Sequence, residues 1–528
     1  MAVVERTHEV PNQAPPLEDY NAYDADVALQ EALVREGGRW GIDRVRDFGG
    51  ITGSTEAREH SRRALRNVPR LLTHDRRGNR IDAIDYDPSF HWMLRLAIER
   101  ELPSLPWRDP QPGAHVVRAA LFLLLNGLDT GPACPVAINY AGVPMMRQDP
   151  ALAAEWEERI VRPDYDSYAQ AGMVMTEKQG GSDLRANTTR AEPAGDGWYE
   201  LTGHKWFCTH PVFAFFFTLA QAPGGLTCFV AERPHPGFRI ERLKDKMGGR
   251  CLASSEVEFS SLPARILGEE GRGIAAMSTQ INYTRLDTMM GVAGMLRRMV
   301  AEAIHHARHR AAFGKLLAEQ PLMQNVLADL ALESEAMTVS CMRVARSYDG
   351  DDELPFRRFA TAVMKYWISK RGPLAAVEAL ECLGGNGFVE ESIMPQFFRD
   401  IEIGTVWEGS GNVAALDVLR TIVREPEGLP AFMDECELAV GGNALLDEHL
   451  ARLRRELAGP FTESAEWNGR RLVEDLAVAL QASLLVRVAP PEVADAFCAS
   501  RLRAERRAFG TLPRGLDPSV IAERALAT

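Results

Sequence analysis

The sequence predicts an α+β chain in which a helical region, an all-β domain and a second helical region follow one another. Three observations carry this: helical periodicity over most of residues 24–146, strand-length apolar segments between about 165 and 265, and helical periodicity again after Gly271. At 528 residues the chain is too long for one ordinary core, so several domains are expected. The division is an N-terminal arm (1–23), a helical domain (24–165), a middle β domain (166–268), a helical bundle (269–425) and a helical extension (426–528).

The arm is rich in Pro and Asn and should lie on another surface rather than pack as an element. In the first helical domain, AHVVRAALFLLLNGLD is apolar nearly all round and should be deeply buried. In the β domain, ANTTRAEPAGDGWYELTGHKWFC alternates around Asp196-Gly197, a hairpin signal. FAFFFTLAQ, GLTCFVAE, FRIERL and SSEVEFSSL follow at strand lengths. Two long bundle helices are expected from Ile274 and from Pro321, with Pro355 and Pro373 punctuating a third and a fourth. In the extension, LVEDLAVALQASLLVRVA fits helix packing, with contact between subunits of a tetramer one use for it.

A net charge of −13 argues against broad nucleic-acid coating. The eight cysteines include no CxxC pair, which suits a reducing compartment and gives no zinc signature. The first twenty residues lack the apolar core of a signal peptide, and no uncharged run reaches membrane-spanning length. A cytoplasmic protein is expected.

Five segments carry residue types suited to chemistry. MVMTEKQGGSDLRANTTRA (173–191) offers backbone N–H groups and hydroxyls around Thr176, Gly180, Gly181 and Ser182. Such a loop either cradles a polar ring or phosphate or merely turns between domains. GHKWFCTH (203–210) supplies an aromatic pair before Thr209 and alone fits core packing as well as a cofactor wall. In HARHRAAFGKLLAEQ (306–320), Arg310 and Phe313 stand at i,i+3, the spacing of one helix face. His305 and His309 stand at i,i+4 with no HExxH glutamate or third ligand, so no metal site is assigned. LGGNGF (383–388) is a Gly-rich turn after a helix, in the wrong context for a dinucleotide-binding βαβ unit. TVWEGSGNVAALDVLR (405–420) sets Glu408 between a bulky aromatic and a sharp turn that opens an apolar helix.

In their order, TEKQGGSD, GHKWFCT, KDKMGGR, LGEEGRG, RAAFG, LGGNGF and WEGSGN resemble the acyl-CoA dehydrogenase superfamily over about residues 24–425. The wording MTEKQGGSD, NTTRAE, GHKWF, QPLM and WEGSGN with LDVLR is similar to the AidB-like branch, the bacterial alkylation-response flavoproteins. With that branch the resemblance runs from about Thr7 to the C-terminus. It implies an N-terminal helical domain, a middle β-barrel and a C-terminal four-helix bundle with a helical extension, FAD as cofactor and a homotetramer.

It also implies roles. Glu408 would be the base that takes the proton alpha to an acyl-CoA carbonyl, a task that desolvation suits by raising its pKa. In one branch of the superfamily the base stands just before the arginine of the segment matching NYTRLD, and here that position is Thr284. Met175, Thr176, Gly181 and Ser182 would line the flavin and pyrophosphate. Thr209 would face flavin N5, beside Cys208, and Phe207 would cover the ring. Arg310, Phe313 and Gln320 would hold the adenosine half, with Glu381 and Gly385 reaching it across a subunit contact. Trp407, Gly409, Ser410, Gly411 and Asn412 would complete the cofactor set, the last four from a helix start whose amides favour an anion.

Two positions are expected to modify ordinary acyl-CoA turnover. Trp407 stands where a tyrosine is usual, and Arg420 matches an arginine that in AidB-like proteins projects into the acyl cavity. There it would be hostile to a fatty chain and suited to pairing with Glu408. Alternatively Arg420 pairs with Asp417 on the helix surface. The substrate is therefore an acyl-CoA or an unusual small molecule. The extension of AidB-like proteins is implicated in double-stranded DNA binding. Residues 424–528 hold 13 Arg and no Lys against 17 Asp and Glu, a poor general phosphate binder. Local contact would fall to Arg501, Arg503, Arg506 and Arg507, with Arg452, Arg454 and Arg455. A DNA-associated protein with a secondary flavin site is thus one alternative, and a flavin oxidase or dehydrogenase of specialised metabolism another.

Overall fold

The computed structural model describes residues 8–459, 463–503 and 517–525. Helices build the first part, and Ala114–Asn126 is buried at every position, as its composition requires. One element there differs from expectation. Strands β1 (Arg70–His74) and β2 (Arg80–Asp85) pair as an antiparallel hairpin inside a region read as helical. The turn decides it: the Asp75 carboxylate accepts the N–H groups of Arg77 and Asn79, and Gly78 takes φ 86°.

The middle region is a seven-stranded sheet of β3 (Ala171–Val174), β4 (Arg190–Gly195), β5 (Trp198–Thr209), β6 (Phe215–Ala222), β7 (Gly225–Glu232), β8 (Phe238–Leu243) and β9 (Ser254–Leu267). The order β6-β4-β5-β9-β7 closes on itself because β7 also pairs with β6, and β4 meets β6 through Arg190 and Gln221. The β4–β5 turn falls at Asp196-Gly197, both at positive φ as a tight hairpin needs. β6 is apolar on both faces because both are covered. Phe216 and Ala220 point into the barrel, while Phe215, Phe217 and Leu219 pack on helices around Ile138 and Trp156.

Beyond it, the helices Gly273–His309, Pro321–Arg346, Leu354–Glu381 and Gly411–Arg424 form the bundle, which shares one core with the N-terminal helices and the extension. Pro373 does not separate two helices; it lies inside Leu354–Glu381. Packing overrides the lost backbone bond there, for Gly372 lies so close to Val292 that a Cβ would come within 2.3 Å of it. The extension helix Glu463–Val488 packs on the chain's own bundle, with Trp367 Nε1 donating to Gln481 Oε1 at 2.8 Å. Its apolar stretch packs within the subunit, as helix packing requires.

Candidate active site

Glu408 stands at the turn between Glu402–Thr405 and the helix Gly411–Arg424, with φ 56°, followed by Gly409 at 99°. A left-handed conformation costs a non-glycine residue about 1–2 kcal/mol, so neighbours must impose it. Two cations do so. Arg285 Nε donates to the Glu408 carbonyl at 3.1 Å, and the Lys365 ammonium donates to the Gly409 carbonyl. Arg285 also pairs with Asp417, whose carboxylate takes Arg358 at 3.1 and 3.0 Å. The segment bearing Thr284 and Arg285 is itself fixed by a buried pair, Arg118 Nη2 to Asp287 Oδ2 at 2.8 Å.

Burial pushes the Glu408 carboxyl above its ordinary range, while Thr284 and the charges of Arg285 and Lys365 pull the other way. Its Oε2 is buried without a hydrogen-bond partner. Lys365 is 1% exposed, and burial with repulsion from Arg285 lowers its pKa to about 7. A proton acceptor with one free oxygen is thus held beside two cations at the start of a helix.

The β domain faces this turn. Cys134, a thiol that burial pushes up to about 12, feels the charges of both Glu408 and Lys246. Lys246 donates to Ser254 Oγ at 3.1 Å, which in turn lies 3.1 Å from the Thr209 hydroxyl. Next to Thr209 on β5, Cys208 points into the barrel core, whereas the Phe207 ring is 48% exposed. Trp206 lies instead under the Lys244 ammonium, 3.0 Å from its ring centre. The Thr176 carbonyl accepts the Trp206 N–H at 2.8 Å, which brings Met175 and Thr176 beside this strand. Gly180 has open space around it, and a Cβ on Gly181 would meet the Thr176 hydroxyl at 2.6 Å. Ser182 is exposed. The loop is anchored by Glu177, fully buried, whose carboxylate takes Lys205 Nζ at 2.9 Å and the Thr188 and Thr189 N–H groups at 2.6 and 3.1 Å.

A second group lies apart. The arm runs over the end of Gly273–His309: Asn12 Nδ2 donates to the Ala311 carbonyl at 2.9 Å, Arg310 donates to the Asn12 carbonyl, and Asn386 Nδ2 donates to Gln13 Oε1 at 3.1 Å. Gln320 donates to the Ala312 carbonyl at 3.0 Å, and Glu381 and Gly385 are exposed near the Gly-rich turn. Arg310 and Phe313 do not share a helix face. The helix stops at His309 because a two-stranded turn, Ala311–Ala312 with Lys315–Leu316, takes over, and Phe313 sits at its tip, fully exposed with φ 52°.

Around Glu408, Trp407 and Gly411 are half-buried, Ser410 and Asn412 are exposed, and Ser410 caps the helix. Arg420 is exposed, and Asp417 is held by Arg285 and Arg358 instead, so neither the buried cation nor the Asp417 pair is formed. In the extension, Arg501 is spent on Asp329 and Glu333, Arg452 on Asp475 and Arg454 on Glu437. Arg503 is exposed, and Arg506 and Arg507 lie outside the described residues. Among the described residues no group of His, Cys, Asp or Glu is arranged to hold a metal ion, and no helix is long and apolar enough to cross a membrane.

Arg285, Lys365, Glu177 and Lys205 were not singled out from the sequence, and Asp417 only as an alternative partner for Arg420. Glu177 and Lys205 lie inside the quoted motifs, and Lys365 is one charge in the apolar stretch TAVMKYWIS.

The AidB N-terminal domain of the adaptive response protein matches residues 12–167, and the acyl-CoA dehydrogenase middle and C-terminal domains match 172–262 and 271–423. AidB of Escherichia coli (strain K12) is 38% identical over 93% of this chain and 94% of its own length. The chain belongs to the AidB branch of the acyl-CoA dehydrogenase family. It shares that family's fold of helical, β and helical domains and its oxidoreductase class. Caenorhabditis elegans ACDH-11 in complex with C11-CoA superposes with a TM-score of 0.87 over 96% of this chain and 95% of its own, at 24% identity. An acyl-CoA dehydrogenase from Bacillus anthracis complexed with FAD does so at 0.64, over 79% and 81%, at 17% identity.

Proposed function

We propose that this AidB-type protein is an FAD-dependent dehydrogenase of acyl thioesters with Glu408 as its base. The observation that carries this is the buried Glu408 carboxylate, raised in pKa and with Oε2 unpartnered, held at a strained turn by Arg285 and Lys365. The residues fit the cofactor: an open Phe207 ring, the Thr209 hydroxyl beside it, and a Gly180-Gly181 loop where a side chain on Gly181 would strike Thr176. When bound, FAD supplies the hydride acceptor. Phe207 would cover its ring, Thr209 would donate to it, and Met175, Thr176, Gly181 and Ser182 would flank it. Glu408 takes the alpha proton onto Oε2, and the turn's neighbours keep water away from that oxygen.

Arg420 is exposed, so the cation expected to oppose a fatty chain is not buried, which supports an acyl-CoA over an unusual small substrate. A homotetramer is part of the proposal. Its support is the exposed apolar side chains near the second group, Phe313, Leu322 and Phe388, which a second copy would cover while bringing Arg310, Gln320, Glu381 and Gly385 to a neighbour's cofactor. A cytoplasmic location fits eight free thiols. The test is spectroscopic. Purified protein should carry about one FAD per chain, and an acyl-CoA panel should bleach it without oxygen. In Glu408→Gln that bleaching should slow by ~10²–10⁴-fold with flavin content unchanged. Equal rates in the two proteins exclude Glu408 as the base.

A further inference from the structure

A cleft of about 360 Å³ lies between the helix Thr55–Arg66 and the segment after the Gly-rich turn. Five arginines line it: Arg58, Arg62 and Arg66 from one helix, with Arg250 and Arg399 opposite. The first three stand at i, i+4 and i+8 and so form a stripe on one face, where like charges at this spacing repel. The acid in the lining, Glu390, is already taken bidentately by Arg399 at 2.6 and 3.0 Å.

The remaining guanidinium groups have little to neutralise them. Arg58 is 8% exposed and donates to the neutral Gln396 Oε1 at 3.2 Å. Burial and the nearby Arg298 and Arg62 lower its pKa to about 10, with Glu302 and Asp129 opposing. Arg62 reaches Glu59 only at 3.7 Å, and its Nε is buried without a hydrogen-bond partner. Arg250 approaches the exposed Asp245 at 3.6 Å. A chain gathers like charges around a cleft at a cost, and an anion that accepts from several forks at once removes it.

We infer that this cleft binds the phosphate end of a small phosphorylated molecule, at a place separate from the Glu408 turn. Planar guanidinium forks match phosphate oxygens pairwise, and several converge here. None of the lining residues belongs to the groups assigned above to flavin or base. Arg58 and Gln396, buried side chains, form the floor, while the exposed Arg66 and Arg250 form the rim.

The test uses the FAD-loaded protein, so that the flavin's own phosphates cannot compete for interpretation. Calorimetric titration at ~150 mM salt compares sodium pyrophosphate, inorganic phosphate and adenosine monophosphate. Saturable binding of pyrophosphate identifies the free anion as the better occupant, and tighter binding of the nucleotide identifies a phosphate carried on a larger body; either supports the site. Arg62→Gln with Arg66→Gln alters half-buried and exposed positions, so the fold should survive, and should weaken binding tenfold or more while leaving flavin absorbance and reduction unchanged. Arg58→Met should abolish it. Equal affinity in the double variant and the parent overturns the site. So does a change of oligomeric state in the double variant by light scattering, since the arginines would then serve carboxylates of a second copy.

Discussion

The turn at Glu408 was marked in the sequence by an acid before a Gly-Ser-Gly helix start, and its proposed role came from the family resemblance; Lys365 was not marked, because its partner is a backbone carbonyl 44 positions away. The lysine has a consequence for pH. As the proposed base, Glu408 must be ionised to accept a proton, so flavin reduction should rise with pH through its pKa, which burial sets above the ordinary carboxylate value of 4.5. The Lys365 charge pulls that pKa down. Lys365→Met keeps the bulk of the side chain and removes the charge, so the acid limb should move to higher pH. Stopped-flow reduction across pH 5–9 measures it. An unmoved limb with lower stability would mean that Lys365 serves the geometry of the turn alone. At this same scale Arg420 shows where motif matching stops: it was expected to project into the acyl cavity and is exposed, because which face of a helix meets the core depends on neighbours such as Arg285 and Arg358.

Among the elements, the long helices and the barrel strands were legible because period and length agree with burial. β6 shows the rule working, for an unbroken apolar run means cover on both faces. The β1–β2 hairpin escaped because its strands are short and half-exposed, and only the Asp75 turn gives it away. The end of Gly273–His309 escaped because RHRAAFG has good helix formers, yet the arm's Asn12 captures Arg310 and Ala311 in extended form. The loop of Thr176 to Ser182 rests on the Glu177–Lys205 pair, fully buried between loop and β5. Glu177→Gln would leave the Lys205 ammonium without a counter-charge in the barrel wall, at a cost of about 3–5 kcal/mol. Chemical denaturation should show that loss, and adding Lys205→Met should restore most of it. A single variant as stable as the parent would mean that water or a neutral lysine meets the need.

At the scale of the whole molecule, carboxylates held by cations stand in different regions, among them Glu177 with Lys205 in the β domain, Asp417 with Arg285 and Arg358 in the bundle, and Glu435 with Arg343 and Arg487 where the extension joins it. Their charged neighbours and hydrogen bonds hold each pKa at about 2, against burial. A carboxylate depressed in the folded state binds its proton more readily once unfolded. Its contribution is therefore complete above the unfolded pKa near 4 and is lost as pH falls toward 2, up to about 3 kcal/mol for each group. Asp400, which burial and Asp129 raise to about 7, acts on another limb. Below pH 4 it is protonated in both states and adds nothing, but as pH climbs from 4 to 7 it costs stability. The guanidinium midpoint of the flavin-loaded protein should therefore fall steeply between pH 4.5 and 3. Because β domain, bundle and the joint with the extension each hold such a carboxylate, fluorescence and circular dichroism should both report the loss. Glu177→Gln should flatten that slope, since one strongly depressed group is gone. A midpoint constant from pH 5 to pH 3 would show that these pairs contribute no net stability, their Coulomb gain cancelled by desolvation.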